Sequence, residues 1–249
     1  MTTEHPSGYL LHTGTVSGRA YVAIATLETA NRKTGDMVQV WFLLRDTHPV
    51  QAVQDGTDGE TVCSGCPFAS GRGCYVNVGQ APLSIWRAFH RGSYPFLAPG
   101  DYGRVFASRR VRFGAYGNPT LLPLPLVDRI ARVSDGWTGY FHDWRTNPQA
   151  QAYGRYFMAS TETADSFKAA VAAGFRTFHV SPERPAGSIE CLSDARGMTC
   201  SECRLCNGRF GSAGQAFRPM AERQRPSIWI NPHGSRSAKA AAVAIGGGA

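Results

Sequence analysis

The sequence predicts an α/β protein: a partial (β/α) barrel with parallel strands, an N-terminal β-hairpin and cysteine-rich loops. Three observations carry that expectation. From residue 111 onward, strand-like apolar runs alternate with helical patterns of about ten residues, the order of a parallel sheet. The stretch Val111-Arg-Phe-Gly-Ala-Tyr-Gly-Asn-Pro119 reads as a buried strand over 111–115 running into a glycine-rich turn over 114–119, then a helix start. Two cysteine groups flank that stretch, both distant from it in sequence. In such a fold the chemistry sits at the C-terminal strand ends.

Residues 1–18 are polar and glycine-bearing and read as a loose arm. Residues 20–29 alternate and are β-branched, so a strand is expected. Residues 31–35 form a turn and 37–44 a second strand, which can pair with the first as a hairpin. Residues 46–60 read as a loop that delivers the first cysteine group. A helix is predicted over 81–91, with Leu83, Ile85, Trp86 and Phe89 mostly on one face and Pro82 in its first turn. A proline- and glycine-rich connection spans 92–103. Strands then follow at 111–115, 138–142, 155–160, 175–180 and 227–230, with helices at 125–134 and 164–173. Thr161 or Thr163 caps the second of these helices and Gly174 ends it. The organisation expected is 1–110 for the N-terminal strands and first cysteine group, 111–234 for a β/α half-barrel with the second group, and 235–249 for a disordered tail.

The chain has 249 residues, 43% hydrophobic and 18% charged, an ordinary globular balance. No apolar run approaches the roughly 18 residues of a membrane span, and no signal peptide opens the chain, so a cytoplasmic protein without a membrane partner is expected. The formal charge is +8, and only Lys33, Lys168 and Lys239 among the 26 basic residues are lysines. A basic excess serves nucleic acid or an anionic ligand, but here the arginines are scattered; only Arg109, Arg110 and Arg112 cluster.

All seven cysteines fall in the two groups. Cys63, Cys66 and Cys74 are spaced C-x2-C-x7-C; Cys191, Cys200, Cys203 and Cys206 are spaced C-x8-C-x2-C-x2-C. In a cytosolic chain such spacing argues for metal rather than disulfides. The second group supplies a complete thiolate set for zinc or for a four-iron cluster, and spacing does not separate the two. The first supplies three ligands and leaves one position for a histidine such as His90, a water, or a cofactor atom. The turn at Gly114, Gly117 and Asn118 exposes backbone N–H groups to an approaching ligand.

Taken together, a three-cysteine loop ending Cys74-Tyr75, a strand running into Gly114-x-x-Gly117-Asn118-Pro119, and further strand–helix units resemble the radical S-adenosylmethionine enzymes. The resemblance spans roughly residues 38–234 through short motifs. It implies that Cys63, Cys66 and Cys74 hold a [4Fe-4S] cluster with an open iron for S-adenosylmethionine. It also implies that Gly117 and Asn118 contact that cofactor, and that the second group holds an auxiliary cluster; Tyr75 and Gly114 are further candidates for that contact, and Glu162 can bind ribose hydroxyls or help start a helix. The chain differs from the superfamily's usual C-x3-C-x2-C loop and from the acidic residue its turn usually carries where Asn118 stands. The chain also resembles a family of bacteriophage and mobile-element proteins that carries no activity with it. The shared segments are Cys63…Cys66…Cys74-Tyr75-Val76, Arg112-x-Gly114-Ala115-Tyr116-Gly117-Asn118-Pro119, Thr138-Gly-Tyr-Phe-His-Asp-Trp-Arg145, Met158-Ala-Ser160, the second cysteine run and His233-Gly234.

His142, Asp143 and Arg145, at an expected strand end, are the candidate catalytic residues; His179 reads as a core histidine. Three functions compete. The first is an iron-sulfur enzyme of radical S-adenosylmethionine type acting on a small-molecule or nucleic-acid substrate. The second is a zinc-binding, nucleic-acid-associated protein of a phage or mobile element. The third is a hydrolase with a zinc-bound water.

Overall fold

The computed structural model describes residues 6–209, 225–232 and 243–245 of the chain. Strands β1 (Gly8–Val16), β2 (Arg19–Thr26) and β3 (Val38–Leu44) pair antiparallel in chain order. Ser17 and Gly18 both hold positive φ, 48° and 74°, which a two-residue hairpin turn requires. β1 corrects the loose arm expected over 1–18. Tyr9 and Leu11 face the core, but the rest of the strand alternates through threonine, glycine and histidine, so the period-two contrast in hydropathy is weak.

Between β3 and its parallel neighbour lie four helices: α1 (Pro49–Gln54), α2 (Thr57–Glu60), α3 (Ala81–His90) and α4 (Tyr102–Phe106). Only α3 is expected from the sequence. α1 and α2 replace the loop expected over 46–60. His48 caps α1, its Nδ1 accepting from the Gln51 N–H at 3.2 Å, an unusual cap for a helix too short to show a period. α4 interrupts the connection expected over 92–103 and buries Tyr102, Val105 and Phe106.

From β4 (Arg110–Tyr116) every neighbouring pair of strands is parallel. β4 lies between β3 and β5 (Gly136–Thr138), and α5 (Leu124–Val133) makes the crossover. A second sheet begins at β6 (Tyr140–Phe141) and continues through β7 (Met158–Thr161) and β8 (Thr177–Val180), with α6 (Ala150–Tyr153) and α7 (Ala164–Ala172) between them. It is completed by β9 (Ser188–Glu190) and β10 (Ser227–Ile230), in the order β6-β7-β8-β10-β9. The described strands form no closed barrel. Thr163 and Ser166 make a capping box on α7 and Gly174 follows it at φ 81°, as its sequence predicts.

Several expected strands are shortened: 20–29 ends at Thr26 and 175–180 starts at Thr177, and two others change for a clear reason. The strand over 138–142 is broken at Gly139, whose N–H donates to the Cys206 carbonyl at 2.7 Å. The strand over 155–160 starts only at Met158, because 154–157 finish α6; the Phe157 N–H donates to the Tyr153 carbonyl at 2.9 Å. One large apolar core, including Leu11, Phe42, Phe113, Trp137 and Phe157, runs across residue 110 without a break. No helix among the described residues is long and apolar enough to cross a membrane. The tail expected to be disordered lies, apart from 243–245, outside the described residues, as does His233.

The end of β4 is pressed onto β3. Register jumps from Val40 opposite Phe113 to Trp41 opposite Tyr116, a bulge that absorbs Gly114 and Ala115. Gly117 follows at φ 81°, and a Cβ there would stand 2.6 Å from Phe42 Cβ and 2.8 Å from its carbonyl oxygen. Gly117→Ala is therefore expected to destabilise the fold by about 2–4 kcal/mol, from left-handed strain plus overpacking. Gly18→Ala, at φ 74° with open space around it, isolates the strain and should cost about 1 kcal/mol. Urea unfolding of the two variants measures the difference.

Candidate functional site

The first cysteine loop is built around a buried carboxylate. Asp58, 2% exposed, accepts the Gly59 N–H at 2.8 Å and the Ser70 hydroxyl at 2.7 Å on one oxygen. Its other oxygen accepts the Ser70 N–H at 3.2 Å and the Tyr116 hydroxyl at 3.3 Å. Its own carbonyl accepts the Cys63 N–H at 2.7 Å. With its donors supplied, the carboxylate folds residues 58–70 into one compact turn and ties them to the end of β4. The glycine turn closes the contact: the Asn118 N–H donates to the Val62 carbonyl at 2.7 Å. Gly65, at φ 79°, packs against the His142 and Asp143 backbone.

The second loop is anchored at three separate places. The Cys191 N–H donates to the Trp229 carbonyl of β10 at 2.8 Å, and α8 (Leu192–Arg196) follows. α9 (Cys200–Cys203) carries a capping box of Thr199 and Glu202, and its Cys200 N–H reaches back to the Lys33 carbonyl at 2.8 Å. The Cys206 carbonyl fills the break at Gly139. Arg176, 2% exposed, then clamps the loop's end, donating to the carbonyls of Asn207, Gly208 and Pro226.

Both loops face one cavity of about 160 Å³. It is lined by Cys63, Cys66, Cys74, Tyr75, Gly114, Gly117 and Asn118 of the first loop and the glycine turn, and by Cys191, Cys200 and Cys206 of the second loop. Arg112, Thr138, Tyr140, His142 and Ser160 line it as well. Three buried polar atoms of lining residues, Asn118 Oδ1, Thr138 Oγ1 and His142 Nδ1, have no hydrogen-bond partner among the described residues, and such atoms are costly to leave unpaired.

No family model, curated protein or solved structure matches this chain.

The site thus rests on its own chemistry. Burial pushes the Cys63, Cys66 and Cys74 thiols up, as it does those of Cys200, Cys203 and Cys206, and neighbouring cysteines add to the effect at Cys63 and Cys206. Grouped thiols of this kind ionise when a cation shares the charge. All seven are free thiols. Among the described residues, no three His, Cys, Asp or Glu side chains converge tightly enough to hold a single metal ion.

The expected site residues separate into two sets. Tyr75, Gly114, Gly117, Asn118, His142 and six of the cysteines line the cavity; Cys203 stands in the second loop outside the lining. Asp143 and Arg145 do not line it. Asp143 is taken up locally, accepting from Thr120 Oγ1 at 2.9 Å and Asn147 Nδ2 at 2.8 Å, while Arg145 lies over the Trp144 ring at 3.9 Å. β6 ends at Phe141 and the chain then turns, the Thr146 and Asn147 N–H groups donating to the Asp143 carbonyl at 3.0 and 2.8 Å, which leaves Asp143 and Arg145 in that turn and out of the lining. His90 is also elsewhere, with Nε2 2.8 Å from the Arg45 carbonyl and its ring 4.0 Å from Trp86. His179 is a core residue, bonded to Thr161 Oγ1 at 2.9 Å.

Glu162 sits behind His142 rather than in the lining, with Oε1 3.7 Å from His142 Nδ1 and accepting from Ser160 Oγ at 3.0 Å. Burial raises the Glu162 carboxyl to about 7, against a lowering from Ser160 and Arg145. Burial lowers His142 to about 4, so it is a neutral imidazole at pH 7. The sequence pointed to neither Arg112 nor Tyr140 as site residues. Their one signal was position, Arg112 two residues before Gly114 on the same face of β4 and Tyr140 two before His142.

A carboxyl raised in the folded state binds its proton more tightly there than in the unfolded chain. It therefore subtracts stability as pH climbs from its ordinary value near 4.5 to about 7. Glu162→Gln is expected to leave stability nearly unchanged at pH 5 and to raise it by roughly 1–3 kcal/mol at pH 8. Thermal unfolding of both proteins across that range tests the sign.

Proposed function

We propose that this chain is an iron-sulfur enzyme of radical S-adenosylmethionine type that acts on a small molecule held between its two cysteine loops. The observation that carries the reading is the shared cavity, whose lining includes three thiols and the glycine turn together with three thiols of the second group. Cys63, Cys66 and Cys74 are the ligands proposed for a [4Fe-4S] cluster with one open iron. Cys191, Cys200, Cys203 and Cys206 are those proposed for a second.

The residues near the first group suit S-adenosylmethionine. Asn118 Oδ1 is a buried acceptor without a donor, which an amino group supplies. The left-handed backbone at Gly114 and Gly117 lets a ligand lie against the strand end. The cluster and cofactor supply one-electron chemistry. The chain's own residues position and shield. Tyr140, stacked on Phe178 at 4.3 Å, forms an apolar wall. His142 presents Nδ1 as the atom that holds or passes a proton, with Glu162 next to it as the reserve. Free thiols throughout support a reducing, cytoplasmic setting.

Anaerobic purification with iron and sulfide analysis is the test. About eight irons per chain are expected from two four-iron clusters, with visible charge-transfer absorption. Cys63→Ala should remove about half the iron and abolish reductive cleavage of S-adenosylmethionine. Cys203→Ala should lower iron while leaving the first cluster's spectrum. A colourless preparation containing zinc would overturn the reading in favour of a zinc-stapled, nucleic-acid-associated protein.

A further inference from the structure

We infer that the cavity takes an organic anion, its oxyanion end held by Arg112 with the hydroxyls of Tyr75 and Tyr140, its apolar body against Phe178 and Val180. Identifying that anion as the substrate rests on the preceding reading; its charge follows from the cavity itself.

Arg112 projects from the middle of β4 between the two cysteine loops. Its Nη2 donates to both phenol oxygens, each at 2.7 Å, and the two hydroxyls lie 2.8 Å apart. Both Nη2 protons are thereby used. Nε–H and the Nη1 protons form no hydrogen bond among the described residues; they lie on different edges of the guanidinium, so each is a separate charge-assisted donor for an oxyanion rather than half of a parallel pair. Burial pushes Tyr140 well up, which keeps it a neutral donor.

Among the described residues no Asp or Glu lines the cavity, and the charge near Arg112 that the lining can supply is that of thiols such as Cys200. Arg110, two residues earlier on the same strand, pairs with Asp135 at 3.1 Å, and Lys33 at the rim pairs with Asp194 at 2.7 Å. Arg112 has no carboxylate partner among the described residues, although an arginine in a cleft ordinarily acquires one. Around it the walls are apolar: Tyr140 stacks on Phe178 within 5° of parallel, and Val76, Val180 and Ile230 complete the surface. A charged head and an apolar body are what this lining complements.

The test is ligand-induced thermal stabilisation of the full chain, purified anaerobically with its native metal content, at constant ionic strength. The probes are benzoate, phenyl phosphate and uncharged benzamide. Benzoate or phenyl phosphate should raise the melting temperature saturably while benzamide does not; which of the two is stronger tells carboxylate from phosphate. Arg112→Gln should weaken that binding about tenfold or more, Arg112→Lys less, and Tyr140→Phe by a smaller factor still. Iron and sulfide are measured on the same preparations, so loss of clusters is read separately from loss of anion binding. A wild type that no anion stabilises overturns the inference, whatever its iron content. So does Arg112→Gln that keeps wild-type anion binding, including the case where it changes only iron content, as a counter-ion to the thiolates would.

Discussion

The cavity depends on one backbone constraint: the chain leaves β4 through left-handed glycines and lies directly beneath the first cysteine loop. Gly114 takes φ 73° inside the bulge and Gly117 φ 81° after it. Only so can the Asn118 N–H reach the Val62 carbonyl, with no side chain between Gly117 and Phe42. The same turn buries Asn118 Oδ1 next to the thiols. The strand, the loop and the acceptor are consequences of one local geometry, and a residue with a Cβ at position 117 disturbs all three.

Much of the fold could be read from residue patterns. β2, β3, α3, α5, α7 and β10 follow from alternation, helical period, proline in the first turn and the Thr163 and Gly174 caps. What escaped was short or held by distant contacts. α2 and α9 are four residues each, below the length at which a period can show. β9 exists because β10 pairs with it, a partner about forty residues later that no local window contains. The break at Gly139 has the same origin, since its N–H is claimed by Cys206.

The candidate site divides along the same line. Cysteine spacing and the glycine turn are local signals, and both lead to the cavity. The grouping of His142 with Asp143 and Arg145 relied on sequence adjacency, but the chain turns after β6 and Asp143 is consumed in that turn. Glu162 was singled out for a ligand and instead stands behind His142. Arg112 was visible only as part of a basic run. It shares a face of β4 with Arg110 and differs in its neighbours: Arg110 meets Asp135, whereas Arg112 meets the cavity, and that is a tertiary fact.

β10 lies between β8 and β9, though it follows both in the chain. As the polypeptide emerges, β9 has no neighbour until residues 227–230 arrive, and the Trp229 carbonyl that receives the Cys191 amide is missing as well. The β9 edge, and with it the seat of the Cys191 amide, therefore cannot form before residues 227–230 have been made. A prosthetic group lodged in the second loop has to wait for that pairing.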